Sequence, residues 1–253
     1  MKRSLIVIMM LLFSCKPADN PSKQVSKESF NTNETRIKKI AVINPAKDPL
    51  KLSMVNPVLE IIPNNGSVRT MVFHYKERNS FKSFKPDIII VTGQSTPWNE
   101  YDLSQFNYIR EYIESEKVYA LGICGGHQLF AMLWGGTVDL VKEASCDKSK
   151  GYSGCYKVKG FVNVEIIGDR LGLFAGYPDK TRFYASHCEE IKKIPDEFKV
   201  IAEHILVKNY AIKHKLLPLY GVQFHPELPA NNPEKGRAVI DNFLKLAGCY
   251  IGE

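Results

Sequence analysis

The chain has 253 residues, 44% hydrophobic and 24% charged, which is enough apolar material for a substantial core and too little bias for a disordered, collagen-like or coiled-coil chain. Its 34 Lys and Arg against 27 Asp and Glu give a net charge of +7, but the excess forms no Arg-rich block and no basic helix, so no nucleic-acid partner is expected. The six cysteines are too few for a disulfide scaffold of this length.

Met1-Lys-Arg-Ser is a short positive start, and Leu5 through Phe13 is an unbroken apolar run ending in Ser14-Cys15. A bilayer span needs about 20 apolar residues, so residues 1–14 read as a secretory signal, with a buried first strand as the alternative. The run Leu12-Phe13-Ser14-Cys15 resembles the bacterial lipoprotein signal, which implies cleavage before Cys15, lipid on Cys15 and attachment to a membrane through it. Removal of Lys2 and Arg3 with that signal would leave a charge of +5. Residues 15–36, rich in Lys, Ser, Asn and Pro, hold too little apolar surface to fold and read as a flexible tether. The expected location is the bacterial cell envelope, facing outside the cytoplasm.

Residues 37–253 read as one folded domain. Ile40–Ile43, Asp87–Thr92 and Val118–Ile123 are continuous apolar runs of the kind that form buried parallel strands. Between the last two, Leu103, Phe106, Ile109, Tyr112 and Ile113 recur at helical spacing, predicting a helix over 101–116. A further helix is predicted over 128–134, and a closing amphipathic helix over 238–246. Strands alternating with helices predict an α/β domain with a parallel sheet.

Gly122-Ile-Cys-Gly-Gly126 is a G-x-C-x-G sequence, the thiol counterpart of the G-x-S-x-G turn between a strand and a helix. Such a turn sets the nucleophile in a strained backbone conformation at a helix N-terminus, where the dipole favours a thiolate and free N–H groups can meet an oxyanion. A buried structural cysteine in a Gly-rich turn is the alternative. Near the end of the chain, His225 and Glu227 stand two apart, which in an extended strand places both on one face. Glu227 could then orient His225, and His225 could take the proton of Cys124.

Gly122-Ile-Cys-Gly-Gly-His-Gln128 together with Gly221-Val-Gln-Phe-His-Pro-Glu227 resembles the class I glutamine amidotransferase, or triad glutaminase, family over most of residues 37–250. The resemblance implies a flavodoxin-like fold: an open, mostly parallel sheet with helices on both faces. It implies amide hydrolysis through a γ-glutamyl thioester, with Cys124 as nucleophile, His225 as general base and Glu227 as orienter. The family's oxyanion loop reads S-G-G-P, and here Thr92-Gly-Gln-Ser-Thr-Pro97 stands in its place. A backbone N–H of Gly93 or Gln94, with that of Gly125, would supply the donors, Gln94 replacing the second glycine. Gln128, Ser186 and His187 match positions lining the substrate pocket, and for His187 a structural role is the alternative.

No cofactor and no metal are called for: the remaining histidines lack ligand spacing, and no phosphate-binding loop occurs. The predicted substrate is glutamine, a γ-glutamyl conjugate or an amidated envelope peptide. Because ATP is absent outside the cytoplasm, a synthase partner fed with ammonia is doubtful. A catalytically silent lipoprotein that binds a small amide or a partner protein is the second reading. Of Cys146, Cys155, Cys188 and Cys249, the first two bracket a polar loop, so a bridge between them is the favoured pairing, with unpaired thiols as the alternative.

Overall fold

The computed structural model describes residues 36–66, 68–142, 146–228 and 233–249, without the side chains of 149 and 233–235. The predicted signal, the predicted lipidation site Cys15 and almost all of the predicted tether lie outside the described residues. In chain order the elements are β1 (Lys38–Asn44), α1 (Asn56–Leu59), β2 (Val68–His74), α2 (Arg78–Phe84), β3 (Ile88–Val91), α3 (Asn107–Glu116), β4 (Tyr119–Ile123), α4 (Gly125–Leu133) and β5 (Thr137–Leu140). They continue with β6 (Val158–Ile166), β7 (Lys180–His187), β8 (Glu189–Lys193), β9 (Phe198–His204), β10 (Val207–His214), β11 (Leu219–Val222) and α5 (Pro233–Leu246).

One sheet runs β2-β1-β3-β4-β11-β10-β9-β6-β7. Its first five strands are parallel, in the doubly wound order of a flavodoxin-like domain, as expected. The other four continue the sheet antiparallel, and β5 pairs with β8 in a separate ribbon. The parallel strands are buried on both faces, and alternation along them divides the core. Ile40, Val42, Ile88, Ile90, Leu121 and Ile123 pack with Val239, Ile240, Phe243 and Leu244 of α5. The intervening Ala41, Ile43, Ile89, Val91 and Ala120 face Phe81, Ile109, Ile113, Leu129 and Phe130 of α2, α3 and α4.

The predicted helix over 101–116 is divided. Asp102 accepts the N–H of Ser104 at 3.0 Å, starting a 3-10 turn over Leu103–Phe106, and the α-helix begins only at Asn107. It ends where Lys117, at φ 53°, takes a left-handed cap whose N–H bonds Ile113. The next helix starts at Gly125 rather than residue 128, directly after the cysteine of the G-x-C-x-G sequence.

Candidate active site

The site lies at the carboxyl ends of β3, β4 and β11, the side of a doubly wound sheet where ligands bind. Cys124 caps α4 at φ 50°, ψ −99°, a conformation side chains rarely adopt. Its N–H bonds the carbonyl of Val222 at 2.8 Å, and its carbonyl accepts the N–H of Gln128 at 3.1 Å. The neighbouring glycines follow from crowding. A Cβ on Gly122 would meet the carbonyl carbon and oxygen of Gly126 at 2.5 Å, and one on Gly126 would collide with the carbonyl of Val91.

The loop after β3 closes on this turn. A Cβ on Gly125 would lie 2.8 Å from Cγ and 3.0 Å from the backbone nitrogen of Gln94. One on Gly93 would lie 3.2 Å from Cε1 of His225 and 3.5 Å from Cβ of Cys124. Gly93, Gln94 and Gly125 are thus gathered beside Cys124 and His225. Gly125 is the first residue of α4, whose opening N–H groups have no partner inside the helix. The side chain of Gln94 accepts the N–H of Thr96 in its own loop.

His225 and Glu227 do not continue a strand. β11 ends at Val222, and Pro226, which has no N–H to donate, lies between the two residues in a turn. The pairing holds nevertheless: Nδ1 of His225 is 2.7 Å from Oε1 of Glu227, with both side chains buried. The N–H of His225 is fixed to the carbonyl of Tyr184 at 2.8 Å. Burial opposes charge on His225, but Cys124 and the Glu227 carboxylate, each also hydrogen-bonded to the ring, outweigh it. Its pKa is raised well above the usual histidine value.

A cavity of about 230 Å³ opens over Cys124, lined also by His225, Gln94, Gln128, Ser186 and His187. That volume lies below the roughly 300–1,000 Å³ of drug-sized pockets and suits a small polar molecule. His187 is buried, and burial drives its pKa down to about 3. The neutral ring donates from Nδ1 to the carbonyl of Glu189 at 3.0 Å, leaving Nε2 buried with no partner among the described residues. Gln128 is fully engaged by protein: Trp98 Nε1 donates to its Oε1 at 2.8 Å, and its Nε2 donates to the carbonyl of Glu189 at 2.8 Å and to Gln223 Oε1 at 3.1 Å.

Sequence reasoning missed Gln223. Because Val222 pairs with Ile123, Gln223 and Cys124 leave adjacent strands side by side, and Gln223 Nε2 donates to the sulfur of Cys124 at 3.6 Å. It also missed Tyr152, Cys155, Lys157, Cys188 and Glu189, all lining the same cavity. The favoured Cys146–Cys155 bridge is present, while Cys188 and Cys249 are free and buried.

The family model for glutamine amidotransferase class-I matches residues 54–246. The chain belongs to that family. It is 38% identical over 170 residues to a glutamine-hydrolysing GMP synthase subunit from Pyrococcus furiosus, covering 67% of this chain and 80% of that one. To the corresponding subunit of Methanopyrus kandleri it is 43% identical over 141 residues, covering 55% of this chain and 67% of that one. The fold is shared with a glutamine amidotransferase from Thermotoga maritima, at a TM-score of 0.61 and 14% identity over 83% of this chain and 98% of that one.

These relatives correct one expectation. Doubt about a synthase partner came from the compartment argument, yet the amidotransferase relatives are by name subunits of a GMP synthase. The N-terminal residues behind the expected compartment lie outside the described ones, whereas the relatives match the folded domain itself.

Proposed function

We propose that this amidotransferase hydrolyses the side-chain amide of glutamine, with Cys124 as nucleophile, His225 as acid and base, and Glu227 as its orienter. The observation that carries the reading is Cys124 at positive φ on the N-terminus of α4, facing a buried His225 locked to Glu227 at 2.7 Å. The sulfur attacks the amide carbonyl carbon, and negative charge passes to the carbonyl oxygen. The N–H of Gly125 and one from the Gly93-Gln94 loop meet that charge. His225, held protonated, gives its proton to the nitrogen as the C–N bond breaks and ammonia leaves. Neutral His225 then takes a proton from the water that attacks the thioester carbon; the C–S bond breaks with its electron pair returning to sulfur, glutamate leaves, and His225 is again protonated beside Cys124. Glutamine as substrate is supported by the names of the relatives, which also support a synthase chain as consumer of the ammonia.

Hydroxylamine tests the covalent route. A γ-glutamyl thioester diverts to γ-glutamyl hydroxamate when the full chain is given glutamine and hydroxylamine, and Cys124→Ala forms none. Glutamate production without any hydroxamate would exclude the thioester.

Attachment to the envelope through Cys15 is a separate proposal, supported by the signal-like start and by a disulfide of the kind that persists in oxidising compartments. Intact-mass analysis of membrane fractions checks it. The expected species starts at a lipid-modified Cys15, and an uncleaved chain with unmodified Cys15 counts against it.

A further inference from the structure

The loop over 146–155 forms one wall of the catalytic cavity, through Gly151, Tyr152 and Cys155. It is built to hold one shape. The Cys146–Cys155 disulfide closes its base, a bridge pairs Asp147 with Ser153, and the N–H of Cys155 bonds the carbonyl of Tyr152 at 3.1 Å. Tyr152 has φ 66°, a left-handed conformation that an aromatic side chain seldom takes without being held there.

Its hydroxyl donates to Oε2 of Glu189 at 2.5 Å, and Lys148 Nζ, also bonded to Asp139 at 2.6 Å, lies 3.1 Å from Oε1. Both oxygens of this buried carboxylate are therefore held from the loop. The main-chain carbonyl of the same Glu189 accepts from Gln128 Nε2 and from His187 Nδ1. Gln128 in turn holds Gln223, which reaches the sulfur of Cys124. An unbroken series of hydrogen bonds thus runs from the disulfide-closed loop to the pocket wall and the nucleophile.

We propose that the disulfide-closed loop positions the substrate pocket: Tyr152 and Lys148 fix Glu189, and Glu189 sets Gln128 and His187. The inference rests on the glutamine-hydrolysing reading and deepens it. Tyr152 is a positioning residue, acting through Glu189 rather than on the reacting atoms.

Steady-state kinetics on the full chain with glutamine test it, comparing the native protein, Tyr152→Phe and the double variant Cys146→Ser/Cys155→Ser. KM is expected to rise about tenfold in both, the size of one lost hydrogen bond to a charged group, while kcat falls less than KM rises. Dithiothreitol, which passes two electrons and two protons to the disulfide and becomes a cyclic disulfide, should raise KM of the native protein and leave that of the double variant unchanged. A native KM in Tyr152→Phe, or in a folded double variant, overturns the proposal. Tyr152→Phe keeps the disulfide and the side-chain volume, so it decides the matter if the double variant does not fold. Native protein without Cys124-dependent turnover would instead overturn the glutamine-hydrolysing reading itself.

Discussion

Cys124 occupies a backbone conformation that costs about 1–3 kcal/mol, and its N–H and carbonyl are tied to Val222 and Gln128. Its buried neighbour His225 holds its proton because a sulfur and a carboxylate flank it. Removing the carboxylate tests that arrangement. Glu227→Gln is expected to lower kcat by about 10²–10⁴-fold with a smaller change in KM, measured as glutamate release. A kcat within a factor of about two of native would exclude Glu227 as the orienter. At this scale the gathering of Cys124, His225 and Glu227 was legible because each lies within a short motif. Gln223 was inside the second motif and could have been read from the register that sets its strand beside that of Cys124. Tyr152 and Glu189 carried no such signal, because nothing local marks a tyrosine that reaches a carboxylate 37 positions away.

The elements legible in the sequence were those with one strong pattern. β1, β3 and β4 are continuous apolar runs buried on both faces, and α5 carries an apolar stripe. The antiparallel half went unread for two reasons. β7 alternates, with Thr181, Phe183, Ala185 and His187 buried, but its exposed face is too mixed to stand out. The β9–β10 hairpin turns at Ile205 and Leu206, both exposed, rather than at the Asn-Gly or Asp-Gly pair that usually announces a two-residue turn. The turn between β4 and α4 depends on backbone contact at Gly122. Gly122→Ala should therefore destabilise the fold by about 1–3 kcal/mol, seen as a lower urea midpoint at unchanged slope. An unchanged midpoint would mean that β4 and α4 do not approach as closely as described.

Over the whole molecule, three of the buried histidines illustrate how stability depends on pH. His127 donates from Nε2 to the carbonyl of Asn209 at 2.9 Å, and burial lowers its pKa from 6.5 to about 3. His187 is lowered to about the same value, also chiefly by burial. Between those limits the unfolded chain binds protons that the folded chain refuses, so each site removes about 1.4 kcal/mol of stability per pH unit as pH falls below 6.5. His225 has the opposite sign: its contribution is full below 6.5 and is lost as pH rises through its raised folded value. Chemical denaturation between pH 6.5 and pH 4.5 should show the acid-side loss, and His187→Gln should make it shallower; equal slopes would refute the neutral state of His187. The measurement that bears most directly on the function is release of ammonia and glutamate from glutamine by the full chain, native against Cys124→Ala. Equal amounts of the two products are expected from the native protein, and none above background from a folded Cys124→Ala. Turnover that survives the substitution, or a folded native protein with no turnover, would contradict the proposed function.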